Sequence, residues 1–269
     1  MDWMKVLPPG QWGNMDFDQA WEIRMRPGHP LLALFPWGSR QGDRPLSPEE
    51  IETAAQALSG HALAAHGEQL ARGFLPLPGG HRLGVAGEMG PCGVRRIHSL
   101  CLRIAHEMMG CGEAIFPHIA GKHTLIIGPP GSGKTTLLRD LIRLYAHAGW
   151  QTGVSDERGE IAACRDGAPQ LDVGPMTDVV SGLEKGRALM LLIRAMASQV
   201  LAADELGGRE DGAAVMEAIR CGAILLCTAH GRDSRDIARR PGLEELLAQG
   251  AFEKKVLLSR PGEQPRLEE

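Results

Sequence analysis

An α/β fold with a parallel sheet, preceded by a smaller α+β unit, is predicted by three features of the sequence. An apolar, β-branched run, Thr124-Leu125-Ile126-Ile127, passes through a glycine-rich turn into a helical repeat of Leu137, Leu138, Leu141, Ile142, Leu144 and Tyr145. Beyond it, apolar strands alternate with helical patterns, which places helices on the faces of a parallel sheet. Before about residue 110 the strands are short and joined by tight turns, as in an antiparallel sheet with helices beside it.

Residues 1 to about 20 show no sustained period and read as an irregular lead-in. Glu22 to Arg26 alternates polar and apolar, Pro27-Gly28 turns the chain, and Leu31 to Phe35 returns it as a hairpin. Ser47-Pro48-Glu49-Glu50 starts a helix running to about Leu58, with a serine cap, proline at the first helical position and acids facing the positive end of the dipole. A second helical stretch is expected from about His61 to Ala71. Phe74 to Leu77 and Arg82 to Gly87 pair across Pro78-Gly79-Gly80, and Ser99 to Ile104 is a further strand. Gly110-Cys111-Gly112 and Pro117 mark a connector.

After the first parallel strand and its helix come a strand at Thr152 to Ser155, a helix near Lys185 to Ala197 and a strand at Gln199 to Glu205. A helix at Ala213 to Cys221, a strand at Ala223 to Thr228, a short helix at Leu243 to Ala248 and a closing strand at Lys255 to Ser259 complete the pattern. The expected organisation is an α+β domain over 1–110, a connector over 111–122, a parallel-sheet domain over 123–260 and a solvated tail over 261–269.

The turn itself, Gly128-Pro129-Pro130-Gly131-Ser132-Gly133-Lys134-Thr135-Thr136, matches the phosphate-loop pattern G-x-x-x-x-G-K-[ST]. Inward-facing backbone N–H groups and the positive end of the following helix make a nest for phosphate. The glycines let the backbone approach the oxygens closely. Lys134 is expected to reach the β- and γ-phosphates, and the Thr135 hydroxyl to ligate Mg²⁺. This pattern does not distinguish ATP from GTP.

Ligands of a parallel sheet bind at the carboxyl ends of its strands, which directs attention to the acids there. Asp204 is placed to hold hydrated Mg²⁺ and Glu205 to position and deprotonate an attacking water. Glu157, in the cluster Asp156-Glu157-Arg158-Gly159-Glu160, is a rival for the same role. His230, directly after a strand, can sense the γ-phosphate or the catalytic acid. Arg82, Arg95, Arg96, Arg103, Arg187, Arg194 and Arg220 could each serve as an arginine finger, and spacing selects none of them.

Composition sets bounds on this reading. A length of 269 residues, with 43% hydrophobic and 23% charged, suits one large or two modest globular domains. A net charge of -4 argues against a strongly nucleic-acid-binding surface. The start Met1-Asp2-Trp3-Met4-Lys5 carries no apolar signal segment, so the chain is expected to stay in the cytoplasm and to reach membranes only through partners. Cys92, His98, Cys101, His106 and Cys111 crowd one region, yet their spacing matches no zinc pattern.

Several motifs beyond the phosphate loop resemble the stage III sporulation protein AA family, relatives of the ATPases of type II and type IV secretion and pilus systems. They are Glu22 to Arg26, Gly73-Phe74, Gly79 to Gly87, Leu138-Arg139-Asp140, Asp156 to Ile161, Thr177-Asp178-Val179, Asp204 to Gly207 and Thr228 to Gly231. The pattern departs from the family at Leu206, where isoleucine is commoner, and at Gly159, where serine is expected. The resemblance implies a RecA-like P-loop NTPase domain that hydrolyses ATP with Mg²⁺ in a hexameric ring. It also implies a place on the mother-cell side of the channel joining mother cell and forespore, docked on membrane proteins of that channel. In this reading Asp156 to Glu160 resembles the family's acidic box, Asp204 and Glu205 its Mg²⁺-binding acids, and His230 its histidine box. A nucleotide-controlled assembly scaffold with incidental turnover and a nucleic-acid-associated P-loop ATPase are the alternatives that the residues leave open.

Overall fold

The computed structural model describes residues 3–10, 17, 19–61, 63, 70, 74–90, 93–240 and 242–268. The expected helix at about 61–71 falls largely outside them. Two compact units divide the chain, Met1–His106 and Glu107–Glu269. The division lies a few residues before the expected boundary.

The first unit is a six-stranded sheet. Its strands are β1 (Glu22–Met25), β2 (Pro30–Phe35), β3 (Gly38–Pro45), β4 (Leu75–Pro76), β5 (Arg82–Gly90) and β6 (Gly93–Arg103), in the order β3-β2-β1-β6-β5-β4. Every neighbouring pair is antiparallel. Alternate residues of β1 and β2 are buried, so Ile23, Met25, Leu31 and Ala33 line one core with Ile51, Ala54, Ala55 and Leu58 of the helix Pro48–Leu58. That helix starts at a full capping box, in which the Ser47 hydroxyl accepts from Glu50 N and the Glu50 carboxylate accepts from Ser47 N. β5 and β6 shift register between Ala86 and Gly87, where a side chain on Gly87 would run into the backbone of Arg96.

The second unit holds the parallel sheet. β7 (Thr124–Gly128), β8 (Thr152–Asp156), β9 (Thr177–Ser181), β10 (Val200–Ala203), β11 (Ile224–His230) and β12 (Lys254–Leu257) run parallel, and β13 (Arg266–Leu267) adds an antiparallel edge. The order is β13-β12-β7-β11-β10-β8-β9.

Alternation along buried strands feeds two cores, one on each face. Leu125, Ile127, Leu201 and Leu225 meet the helices Lys185–Met196, Arg209–Arg220 and Leu243–Ala248. Ile126, Val154, Ala202 and Leu226 meet the helix Lys134–His147. Tyr145 lies fully buried in the second core, its hydroxyl donating to Ile119 O at 3.1 Å, and burial pushes the phenol up to about 12.

Two of the expected segments make contacts worth noting. Within the expected connector at 111–122, Ile115 and Ile119 are buried in the second core and Gly112 N donates to Asp140 Oδ2 at 2.7 Å. In the expected solvated tail, residues 261–268 are exposed or half-buried, Leu267 pairs with Val256, and Ser234 N donates to Glu268. β3 and β9 went unread. β3, Gly-Ser-Arg-Gln-Gly-Asp-Arg-Pro, is almost wholly exposed and carries no apolar period for sequence reading to find. Among the described residues, no helix is long and apolar enough to cross a membrane.

Candidate functional site

β7, β11, β10 and β8 are consecutive in the sheet, so the segments after their carboxyl ends gather along one edge. β7 is followed by the phosphate-loop residues. Gly131 and Gly133 take φ of 74° and 96°, and a side chain on Gly128 would collide with Ser132 and with Leu258 O. No side chain caps the helix that follows, and its first backbone acceptor, Gly133 O, is taken by Leu137 N. The first-turn N–H groups thus have no intrahelical acceptor, and they face the end where an anion is favoured. Ser132 Oγ is buried without a hydrogen-bond partner among the described residues. An anion seated in this loop would offer acceptors for such groups.

Lys134 is buried, and its ammonium donates to Pro129 O at 2.9 Å and to His230 Nδ1 at 3.0 Å. Burial draws its pKa below that of an ordinary lysine, against the opposing charges of Asp204 and Glu205. The Thr135 hydroxyl donates to Asp204 Oδ2 at 2.6 Å. A hydroxyl beside a carboxylate oxygen is a hard oxygen set suited to Mg²⁺, which keeps several of its waters. Pro129 is half-buried and Pro130 exposed, and Thr136 faces a second cleft with Met108, Met109 and Arg139.

Asp204 joins three elements. Besides Thr135 it accepts from the Thr228 hydroxyl and from Glu205 N, the latter at 3.0 Å. Glu205 turns its carboxylate to Arg158, 2.5 Å from Nη1, and to His230, 3.3 Å from Nε2. Because Lys134 donates to Nδ1, the network places the imidazole proton on Nε2, facing Glu205. Glu157 is exposed and lines a cleft with Asp204, Glu205, Arg158 and Lys185.

Asp156 does something different. It is buried, and its carboxylate accepts from the backbone N–H groups of Glu160, Ile161, Ala162 and Ala163 at 2.7 to 3.3 Å. It builds the loop that presents Glu157 and Arg158. Sequence reading assigned no role to Thr228, which binds both Asp204 and Glu205 N, nor to Arg158 as the partner of Glu205. The available signal for Thr228 was a hydroxyl inside an otherwise apolar, largely buried strand, one residue beyond the paired Ala203 and Cys227.

Comparison with known proteins gives the family and the fold. The family model described as sporulation stage III, protein AA, matches residues 9–268. The stage III sporulation protein AA of Bacillus subtilis (strain 168) is 36% identical over 276 residues, covering 96% of this chain and 86% of that protein. Among solved structures, the Legionella pneumophila ATPase DotB superposes with a TM-score of 0.63 at 18% identity, covering 88% of this chain and 72% of its own. The pilus retraction motor PilT, solved with bound ADP, superposes with a TM-score of 0.61 at 15% identity over 88% of this chain and 74% of its own. At these identities the two structures speak for the fold, that of a P-loop NTPase.

Proposed function

Because the chain belongs to the sporulation stage III protein AA family, we propose that it binds ATP with Mg²⁺ and hydrolyses it as a ring-forming motor of the secretion-ATPase type. The observation that carries this reading is the meeting of Lys134, Thr135, Asp204, Glu205 and His230 at the carboxyl ends of β7, β10 and β11. Their donors and acceptors match what phosphoryl transfer needs, namely a cation for the transferred phosphate, a seat for the metal and a carboxylate for the water.

In this reading the loop N–H groups and Lys134 bind and orient the phosphates, and Lys134 leaves Pro129 O to reach them. Thr135 and Asp204 hold Mg²⁺, which supplies neutralising charge when bound. Glu205 positions the attacking water and takes its proton, with His230 and Arg158 fixing the carboxylate beforehand. Glu157, in the same cleft, is the residue to test against it. The ring is hexameric and sits on the mother-cell side of the channel between mother cell and forespore, held to the membrane by channel proteins.

ATP hydrolysis by the wild type, Lys134→Ala and Glu205→Gln, with oligomeric mass recorded across protein concentration, tests the proposal. Turnover that rises with assembly and is lost in both variants is the expected result. Nucleotide binding without turnover at any concentration overturns the motor and leaves a nucleotide-ordered scaffold.

A further inference from the structure

We propose that Lys185 is a positioning residue that sets the backbone of Glu205, an inference that rests on Glu205 as the water-activating carboxylate. Glu205 has φ of 52°, the left-handed region that residues with a side chain rarely adopt. Such a conformation persists when its surroundings over-determine it. Here both backbone polar groups of Glu205 are taken by side chains from other elements. Its N–H donates to Thr228 Oγ1 at 2.8 Å, and its carbonyl accepts from the Lys185 ammonium at 2.8 Å.

Lys185 is itself fixed from the other side. Its ammonium reaches Asp211 Oδ2 at 3.2 Å, and the same oxygen accepts from Gly207 N at 2.9 Å, so Lys185 and Asp211 bracket the turn from Glu205 to Gly207. The side chain is 8% exposed, unusual for a lysine, and it opens the helix Lys185–Met196. The helix start is held in place by Glu184, which accepts from Gly186 N at 2.9 Å. It is also pressed onto the neighbouring helix, where a Cβ at Gly186 would come within 3.2 Å of Ala214. An isolated buried ammonium is costly, so its two bonds mark what it is kept for, which is the carbonyl of Glu205 and the acid that closes the turn. With the backbone held this way, the Glu205 carboxylate lies against Arg158 and His230.

The test removes the donor without stranding a charge. Lys185→Met with Asp211→Asn takes out both members of the pair, and Lys185→Arg keeps a cationic donor. Amide exchange over 204–207 should accelerate about tenfold in the double variant while the rest of the second unit keeps its protection. ATP hydrolysis should fall about tenfold or more with ATP affinity within about threefold, and Lys185→Arg should recover most of the rate. Wild-type exchange in the double variant, or acceleration spread evenly through the unit, overturns the proposal. A wild type that never hydrolyses ATP defeats the proposed function instead, and the exchange measurement still decides the role of Lys185.

Discussion

Lys134 and His230 stand 3.0 Å apart, Nζ to Nδ1, across the junction of two neighbouring parallel strands, and the other ring nitrogen of His230 faces Glu205 at 3.3 Å. One imidazole thus touches both the cation proposed to bind phosphate and the carboxylate proposed to activate water. His230→Ala should leave ATP affinity within about threefold and lower turnover by about 10- to 100-fold, the loss of about 1.4 to 2.8 kcal/mol of transition-state positioning. Lys134→Ala should weaken binding itself. Titration of nucleotide beside single-turnover rates separates the two, and equal losses of affinity in both variants would count against a linking role for the histidine.

The hydrogen bond from Thr135 to Asp204 predicts a metal-dependent affinity. Wild type should bind ATP about tenfold or more tightly with Mg²⁺ than with a chelator present. Thr135→Val keeps the shape and loses the hydroxyl, so most of that difference should vanish. Asp204→Asn should do the same and also cost about 1–3 kcal/mol of stability, because Thr228 and Glu205 N both lean on the carboxylate. Calorimetric titrations with and without the metal read the first effect and thermal unfolding reads the second.

In the first unit, the cap at the helix Pro48–Leu58 predicts an acid dependence. The Arg44 guanidinium foremost, and then the N–H of Ser47, hold the Glu50 carboxyl down to about 2. A depressed folded-state pKa gives stability that is present above the unfolded value near 4.5 and is lost as pH falls toward 2. Relative to Glu50→Ala, the wild-type helix should therefore exchange its amides about fivefold more slowly at neutral pH, from a cap of about 1 kcal/mol. The gap should shrink below about pH 4.5 and close as pH falls toward 2. A gap unchanged at low pH would show that the carboxylate charge is not what holds the cap.

Legibility in the sequence followed the range of the interaction. The phosphate loop and the order of strand, glycine turn and helix are local, and periodicity shows them directly. Asp204 and His230 were visible as polar residues ending apolar runs. Arg158 and Lys185 were not, because their partners lie 47 and 20 residues away and no period ties such pairs together. Asp156 was legible only as a member of an acidic cluster, since a charged run does not show which member folds inward to accept from four amides. Ile115 and Ile119 were hidden by the glycines and proline around them, which mark a break in secondary structure but say nothing about burial.

Asp156 and Glu157 are adjacent and should fail in opposite ways. Asp156 is 2% exposed and collects four backbone donors, so Asp156→Ala should lower stability by about 3 kcal/mol or more, read as a fall in the melting temperature. Glu157 is exposed, and Glu157→Gln should stay within about 0.5 kcal/mol of wild type. Its activity then carries the decision between the two candidate bases. With Glu205 as the base, Glu157→Gln should keep hydrolysis within about threefold while Glu205→Gln loses about 100-fold or more. The reverse pattern, in a folded and nucleotide-binding Glu157→Gln protein, would move the water to the β8 side of the cleft. Arg158 would then serve to hold Glu205 out of the way.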